Sequence, residues 1–278
     1  MEYKHIIYRP GKVARIILNR PRYYNAQSRL MREEMDDAFA RAAEDDEVGA
    51  IVLSGEGKHF SSGHDLGTPE ELAEREERGF PATPYGRYLR NRATCMENSL
   101  RWRNVLKPTI AMVHGNCIFG GIIFASAMDV IFAAEDALFL PSLLQYFSVP
   151  WDIGPRRTKE ILFEHRFMTA WEACRYGLVN RVFPAEKLEE ETLAYAGRVA
   201  DNYFTNPSGL RMVKFAVNHM QDAMGFTTEI EAAYESQFLF LEFRDRERLR
   251  DEKGGIARAK IAQENLEANR PWLESLRP

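Results

Sequence analysis

The chain has 278 residues, 45% hydrophobic and 28% charged, the balance of an ordinary soluble globular protein. That length suits one α/β domain with an appended helical segment. A formal net charge of −4 excludes a global attraction to nucleic acid or to an anionic membrane, so an anionic ligand has to be held by local groups.

The three cysteines, Cys95, Cys117 and Cys174, are scattered and lack metal-ligand spacing, which reads as reduced thiols rather than a disulfide framework. Met1 to His5 carries no apolar signal-peptide core. The longest apolar stretch, Ile118 to Ala134, is broken by Gly120-Gly121, Ser126 and Asp129, so it does not span a bilayer. A soluble, cytoplasmic protein is expected.

In chain order, His5 to Leu18 reads as two short strands around Pro10-Gly11, a hairpin signal. Arg20-Pro21 closes the second strand. Asn25 to Ala43 places Leu30, Met31, Met35, Phe39 and Ala42 at helical spacing. Val48 to Ser54, ending in Gly55, reads as a buried parallel strand. Thr68 to Lys107 is charged, with Gly79-Phe80-Pro81 and Pro84. It is expected to be a mobile surface segment leading into a helix from about Tyr85 to Leu106, and its part up to Asn91 to line or cover an acyl pocket. Strand Thr109 to Val113, helix Gly120 to Met128 and strand Asp129 to Ala133 repeat the alternation, which argues for an α/β architecture with its site at strand C-termini. Beyond Pro184 the pattern is almost purely helical. The tail Ile256 to Leu276 has an apolar stripe of Ile261, Leu266, Trp272 and Leu276, suited to packing on a neighbouring subunit or on its own core.

Two glycine-containing turns follow buried strands, His59 to Leu66 and His114 to Gly121. Both put small residues where backbone approaches a ligand, and the second opens directly into a helix whose first N–H groups are unpaired. Taken singly, each turn is ordinary strand-to-helix packing. Two such donors converging on one oxygen would make an oxyanion hole, worth about 2.7–4 kcal/mol per donor.

These turns belong to a longer series. Asn19-Arg20-Pro21 is followed by Asn25-Ala26, then by Phe60-Ser61-Ser62-Gly63-His64-Asp65-Leu66. Lys107-Pro108-Thr109-Ile110-Ala111 comes next, with Gly115, Gly120-Gly121 and Asp129. Ala170-Trp171-Glu172-Ala173 and Gly177-Leu178-Val179-Asn180 complete it. In this order and spacing the chain resembles the enoyl-CoA hydratase/isomerase (crotonase) family over nearly its whole length. The resemblance implies a spiral of repeated ββα units over residues 1–200 and a C-terminal helical trimerisation segment over 201–278. It also implies an acyl-CoA thioester as ligand, with coenzyme A bound in bent form as part of the substrate. No separate cofactor or metal is implied, and the assembly would be a homotrimer or dimer of trimers. The oxyanion donors fall on the backbone N–H of His64 and Gly120. Contacts to coenzyme A are implied for Tyr23 to Ala26 and for Ser62, Asp65 and Leu66. The imidazole of His64, where the family commonly has a small residue, reads as structural or ligand-lining, with a catalytic base as the alternative.

The chain departs from the family at its acids. Hydratases of the family use two glutamates to add water, and those positions are here Ile123 and Leu143, neither of which can transfer a proton. Acid–base groups contribute about 10²–10⁴-fold, so efficient hydration by that route is not expected. A third family position for acids falls on Trp151, which would pack on an acyl group or wall off water. The neighbouring Asp152 reads either as a cap of the Pro155-to-Leu162 helix or as an acid/base in the pocket. Glu97, Tyr146, His114 and Ser61 are weaker candidates. An acyl-CoA enzyme acting by isomerisation, decarboxylation or C–C hydrolysis is therefore expected. A non-catalytic acyl-CoA-binding homologue and a hydrolase of the same fold that does not use coenzyme A are the alternatives.

Overall fold

The computed structural model describes residues 3–141, 144–243 and 254–277. β1 (Ile6–Arg9) and β2 (Val13–Leu18) form the hairpin expected around Pro10-Gly11, with Ile6 opposite Leu18. From β2 onward the sheet is parallel. β2 pairs with β3 (Ala50–Gly55), β3 with β4 (Thr109–Val113), β4 with β6 (Val130–Ala134) and β6 with β9 (Arg181–Phe183), giving six strands in the order β1-β2-β3-β4-β6-β9. A second sheet, of three strands, has β7 (Leu138–Leu140) between β5 (Asn116–Ile118) and β8 (Met168–Thr169). These strands are short and lie within turn-rich sequence, so periodicity alone does not reveal them.

The parallel strands are apolar on both sides because both faces are covered. Ile51, Leu53, Ala111, Val113, Ile131 and Ala133 face one cluster, with Met31, Met35, Phe39 and Trp102. Their alternates Ala50, Val52, Ile110, Met112, Phe132 and Ala134 face the other, under Ala196 and Ala200. The first cover is α1 (Arg29–Glu44), whose N-terminus is capped by Ser28 Oγ accepting from the Met31 N–H at 3.1 Å. It starts four residues later than Asn25 because Asn25 has φ 54° and ties loops together. Asn25 Oδ1 accepts from Arg20 N–H, while Nδ2 donates to the carbonyls of Glu56 and His59.

The charged segment is helical from Pro84 to Arg103, close to the helix expected from Tyr85, and also helical before it, over Pro69–Arg78. α2 (Pro69–Arg78) is supported by i,i+4 ion pairs Arg75–Glu71 and Arg78–Glu74. α3 (Pro84–Asn91) runs through a π-helical turn, Arg92–Glu97, into α4 (Asn98–Arg103). The remaining helices are α5 (Gly120–Ser126), α6 (Val149–Ile153), α7 (Pro155–Glu164), α8 (Ala170–Tyr176), α9 (Leu188–Thr205), α10 (Pro207–Ala223), α11 (Phe226–Phe243), α12 (Gly254–Ala268) and α13 (Arg270–Glu274).

Residue 200 falls inside α9, which covers the main sheet, so the helical layer outside that sheet begins at α10. The tail packs on its own chain, with Ala262, Leu266 and Leu273 against Ile118, Leu140 and Phe167. Asn269 Nδ2 donates to Glu164 Oε1 at 2.5 Å. Of the expected stripe, Leu266 is buried, whereas Ile261 and Trp272 are exposed.

Candidate active site

The two glycine turns meet edge to edge. Ser61 N–H donates to the Asn116 carbonyl at 3.2 Å, and Ile118 N–H donates to the Ser61 carbonyl at 2.9 Å. On the other side of the first turn, Gln27 N–H donates to the Gly63 carbonyl and Asp65 N–H to the Gln27 carbonyl. These alternating bonds leave His64 N–H directed away from the Gln27 strand. Neither His64 N–H nor Gly120 N–H donates to an acceptor among the described residues. The turns are close enough that a Cβ added to Gly63 would lie 3.2 Å from Gly120 N and 2.9 Å from the Ile118 carbonyl oxygen. One on Gly121 would lie 2.8 Å from the Ser61 carbonyl oxygen. Phe119 holds φ 48° and ψ −104° at the entry to α5, a conformation costing about 1–3 kcal/mol that turns the chain at Gly120. Strain of this kind persists where surrounding structure over-determines it, as the paired turns do here.

The His64 imidazole is fixed from both sides. Arg32 Nη1 donates to Nδ1 at 3.0 Å, and Nε2 contacts Gln145 Oε1. Because guanidinium can only donate, Nδ1 accepts and Nε2 carries the proton donated to Gln145. Burial, reinforced by the positive charge of Arg32, lowers the imidazole pKa to about 4. It is therefore neutral at pH 7, with both nitrogens occupied.

Asp152 lies within α6. The α7 N-cap is Gly154 and receives no side-chain bond, so the capping reading of Asp152 is corrected. Asp152 Oδ2 is out of solvent without a hydrogen-bond partner among the described residues, as are Ser148 Oγ and Tyr146 Oη. Burial pushes the Asp152 carboxyl up to about 7, with the Ser148 hydroxyl opposing the shift. Tyr146 is raised by burial too, and Asp152 adds to it, so phenol and carboxyl share one environment. Trp151 and Tyr146 both set their rings against Phe226 of α11, at 5.5 and 6.1 Å between centroids. No hydrogen bond joins Asp152 to His64 or Gly120. The sequence link is the short run from Gln145, which holds His64, to Tyr146 beside it.

The other expected residues divide by how much of each is left for a ligand. Asp65 is buried and its carboxylate is consumed internally: it accepts from Arg20 Nη1 at 2.8 Å, Thr68 Oγ1 at 2.6 Å, Thr68 N–H at 2.8 Å and Gly67 N–H at 3.0 Å. That leaves the Asp65 backbone for the expected coenzyme A contact. Leu66 beside it is 77% exposed. Tyr23 is half-buried with Arg20 and Arg22 over its ring, Ala26 is buried, and Ser62 Oγ donates to the Tyr23 carbonyl at 3.4 Å. Ile123 is buried in the main core, on α5. Leu143 lies outside the described residues. Glu97 is paired with Arg92 at 2.9 Å, and His114 does not bond within its own loop but reaches the Gly57 carbonyl of the loop after β3.

Sequence reading missed Gln27, Arg32, Arg90 and Gln145. Gln27 is 1% exposed, and neither atom of its amide finds a partner among the described residues. A Cβ on Gly120 would lie 2.5 Å from Gln27 Oε1, so this amide packs closely against Gly120. The available signal was a polar side chain in a stretch otherwise destined for burial, and a charge at Arg32 inside the apolar face of α1. A cavity of about 210 Å³ lies elsewhere, between β7, β8 and the C-terminal helices, and is lined by Leu138, Thr169, Gln263, Leu266 and Arg270 among others. No group of His, Cys, Asp or Glu among the described residues is arranged to hold a metal ion.

A strained helix entry, two paired turns and a parallel sheet ending at them make up the candidate site. The enoyl-CoA hydratase/isomerase family matches residues 9–257. A Mycobacterium tuberculosis relative named as an enoyl-CoA hydratase, EchA13, is 36% identical over 255 residues, which is 84% of this chain and 79% of the relative. The crystal structure of a "probable enoyl-CoA hydratase" from Mycobacterium thermoresistibile is 41% identical with a TM-score of 0.76, over 84% of this chain and 95% of that one. An enoyl-CoA hydratase/isomerase from Xanthobacter autotrophicus Py2 is 30% identical with a TM-score of 0.79, over the full length of both. The chain belongs to the enoyl-CoA hydratase/isomerase family and has its fold.

Proposed function

We propose that the protein polarises the thioester carbonyl of an acyl-CoA between the N–H groups of His64 and Gly120. Asp152 then handles the proton, in an isomerisation, decarboxylation or C–C cleavage rather than simple hydration. The observation that carries this reading is the pair of N–H groups, on adjoining turns, that no described acceptor takes up. Such donors stabilise charge that develops on the carbonyl oxygen as a Cα–H, Cα–carboxylate or Cα–C bond gives up its electron pair. A carboxyl near pKa 7 can both accept and return a proton at neutral pH, which suits an acid/base group. The apolar Ile123 supports the exclusion of the two-glutamate water addition, although the named relatives carry hydratase names.

A panel of enoyl-, malonyl- and β-keto-acyl-CoA thioesters tests the reaction class, followed by product analysis. The Asp152→Asn variant is expected to lose about 10²–10⁴-fold in kcat while still binding the thioester. Undiminished turnover in that variant removes Asp152 from the mechanism. Exchange of substrate Cα–H for deuterium, without product, would still report the enolate.

The reading includes a homotrimer. Val213, Val217, Met220 and Met224 form one exposed apolar stripe along α10, a helix with no buried residue. No helix among the described residues is long and apolar enough to cross a membrane.

A further inference from the structure

Beside the imidazole of His64 the protein holds two positive charges that it does not itself neutralise. Arg32 is 7% exposed, and its described hydrogen bonds go to neutral groups only, His64 Nδ1 at 3.0 Å and Cys95 Sγ at 3.5 Å. Its Nε is buried without a partner. Arg90, on α3, likewise has a buried, unpartnered Nε, and the described contact of its guanidinium is the ring of Phe80 at 4.8 Å. The two guanidiniums repel each other, and both repel a proton on His64, so all three groups share one electrostatic neighbourhood. The carboxylate that acts on Arg90 is Glu71, and both of its oxygens are engaged: Oε1 accepts from Arg75 at 2.9 Å and Oε2 from Arg29 N–H at 3.1 Å.

Burying a guanidinium without an anion costs several kcal/mol, and placing a second one nearby adds repulsion. Elsewhere the same chain supplies acids to its buried arginines: Arg20 has Asp65, Arg103 has Asp222, and Arg166 has Glu172. The departure at Arg32 and Arg90 is confined to the side chains next to a proposed thioester donor. A planar guanidinium with unused N–H groups is matched to a carboxylate.

We propose that the acyl group of the substrate carries a second, terminal carboxylate, which Arg32 and Arg90 bind while His64 N–H and Gly120 N–H take the thioester oxygen. This rests on the acyl-CoA reading above and narrows it to acidic acyl thioesters. His64 is then the hinge of the site, its backbone serving the carbonyl and its ring holding Arg32 in place. The same anionic chemistry could come from a phosphate of coenzyme A, and the test separates the two sources.

Calorimetry compares succinyl- and glutaryl-CoA with butyryl- and valeryl-CoA on the full chain, on Arg90→Leu and on Arg32→Met. Each carboxylated thioester is expected to bind at least tenfold more tightly than its methyl-ended counterpart. In either variant that ratio is expected to collapse to within about threefold. Arg90, half-buried on a short helix, keeps the test usable if Arg32→Met does not fold. Equal binding of both classes by the unaltered protein overturns the carboxylate assignment and leaves the acyl-CoA reading standing. A loss shared equally by both classes in Arg90→Leu assigns the arginines to a coenzyme A phosphate and also overturns it. Binding of none of the four thioesters overturns the acyl-CoA reading, and this inference with it.

Discussion

Asp152 and His64 show how burial moves two pKa values in opposite directions. The carboxyl rises to about 7 through burial, and the imidazole falls to about 4 through burial and Arg32. Both groups are thereby held neutral over part of the physiological range, Asp152 by keeping its proton and His64 by refusing one. For Asp152 the folded state binds more protons than the unfolded chain between about pH 4 and 7. Its contribution to stability is therefore present below pH 4 and lost as pH rises through 7. Discounted for its half-buried position, the loss is on the order of 2–4 kcal/mol. Urea unfolding at pH 5 and pH 8 should show Asp152→Asn gaining roughly 1–3 kcal/mol on the unaltered protein at the higher pH relative to the lower. An equal difference at both values would show that the carboxyl is not perturbed.

At the scale of elements, the site depends on how closely the Ser61-to-Asp65 turn approaches the start of α5. Gly121→Ala places a Cβ 2.8 Å from the Ser61 carbonyl oxygen, a backbone atom that cannot swing aside. The turns must separate, at about 1–3 kcal/mol of stability. Because Gly120 N–H moves with α5, kcat is expected to fall about 10²-fold, the cost of losing one oxyanion donor. Thermal melting and turnover measured on the same preparation check both effects. A variant with lowered stability and unchanged kcat would show that the two turns do not act as one unit. The charged helices α2 and α3 also belong to this scale. Arg90 falls inside the helix expected from Tyr85 and inside the part expected to line an acyl pocket, but its influence on His64 follows from tertiary packing. Tyr88, two residues earlier, is fixed by Tyr234 of α11, whose hydroxyl donates to its carbonyl at 2.7 Å.

For the whole molecule, α10 is the exposed element whose chemistry does not match solvent. Val217→Glu combined with Met220→Glu puts charge into the middle of its apolar stripe. Light scattering is expected to give a trimer, or a multiple of one, for the unaltered chain and smaller species for the double variant. A monomeric unaltered chain would refute the assembly. The C-terminal helices are less exposed than their sequence suggests, since Leu266 and Leu273 close onto Phe167 and the short second sheet of the same chain.

The sequence by itself determined the alternating parallel core and the two glycine turns. Both rest on local rules: buried strands are continuously apolar, and only glycine fits where backbones touch. It also puts the apolar Ile123 where the family resemblance leads one to expect a glutamate, because a side chain that cannot ionise is legible without coordinates. Tertiary structure decided what the polar residues do. Asp65 and Asp152 are both acids beside a motif, yet one is spent on Arg20 and a tight turn while the other stands buried without a counter-charge. Gln27, Arg32 and Arg90 carry no local signature, since the environment that makes them consequential comes from segments distant in sequence. Dielectric, charge and hydrogen-bond satisfaction are properties of the surroundings, and those exist only once the chain has folded.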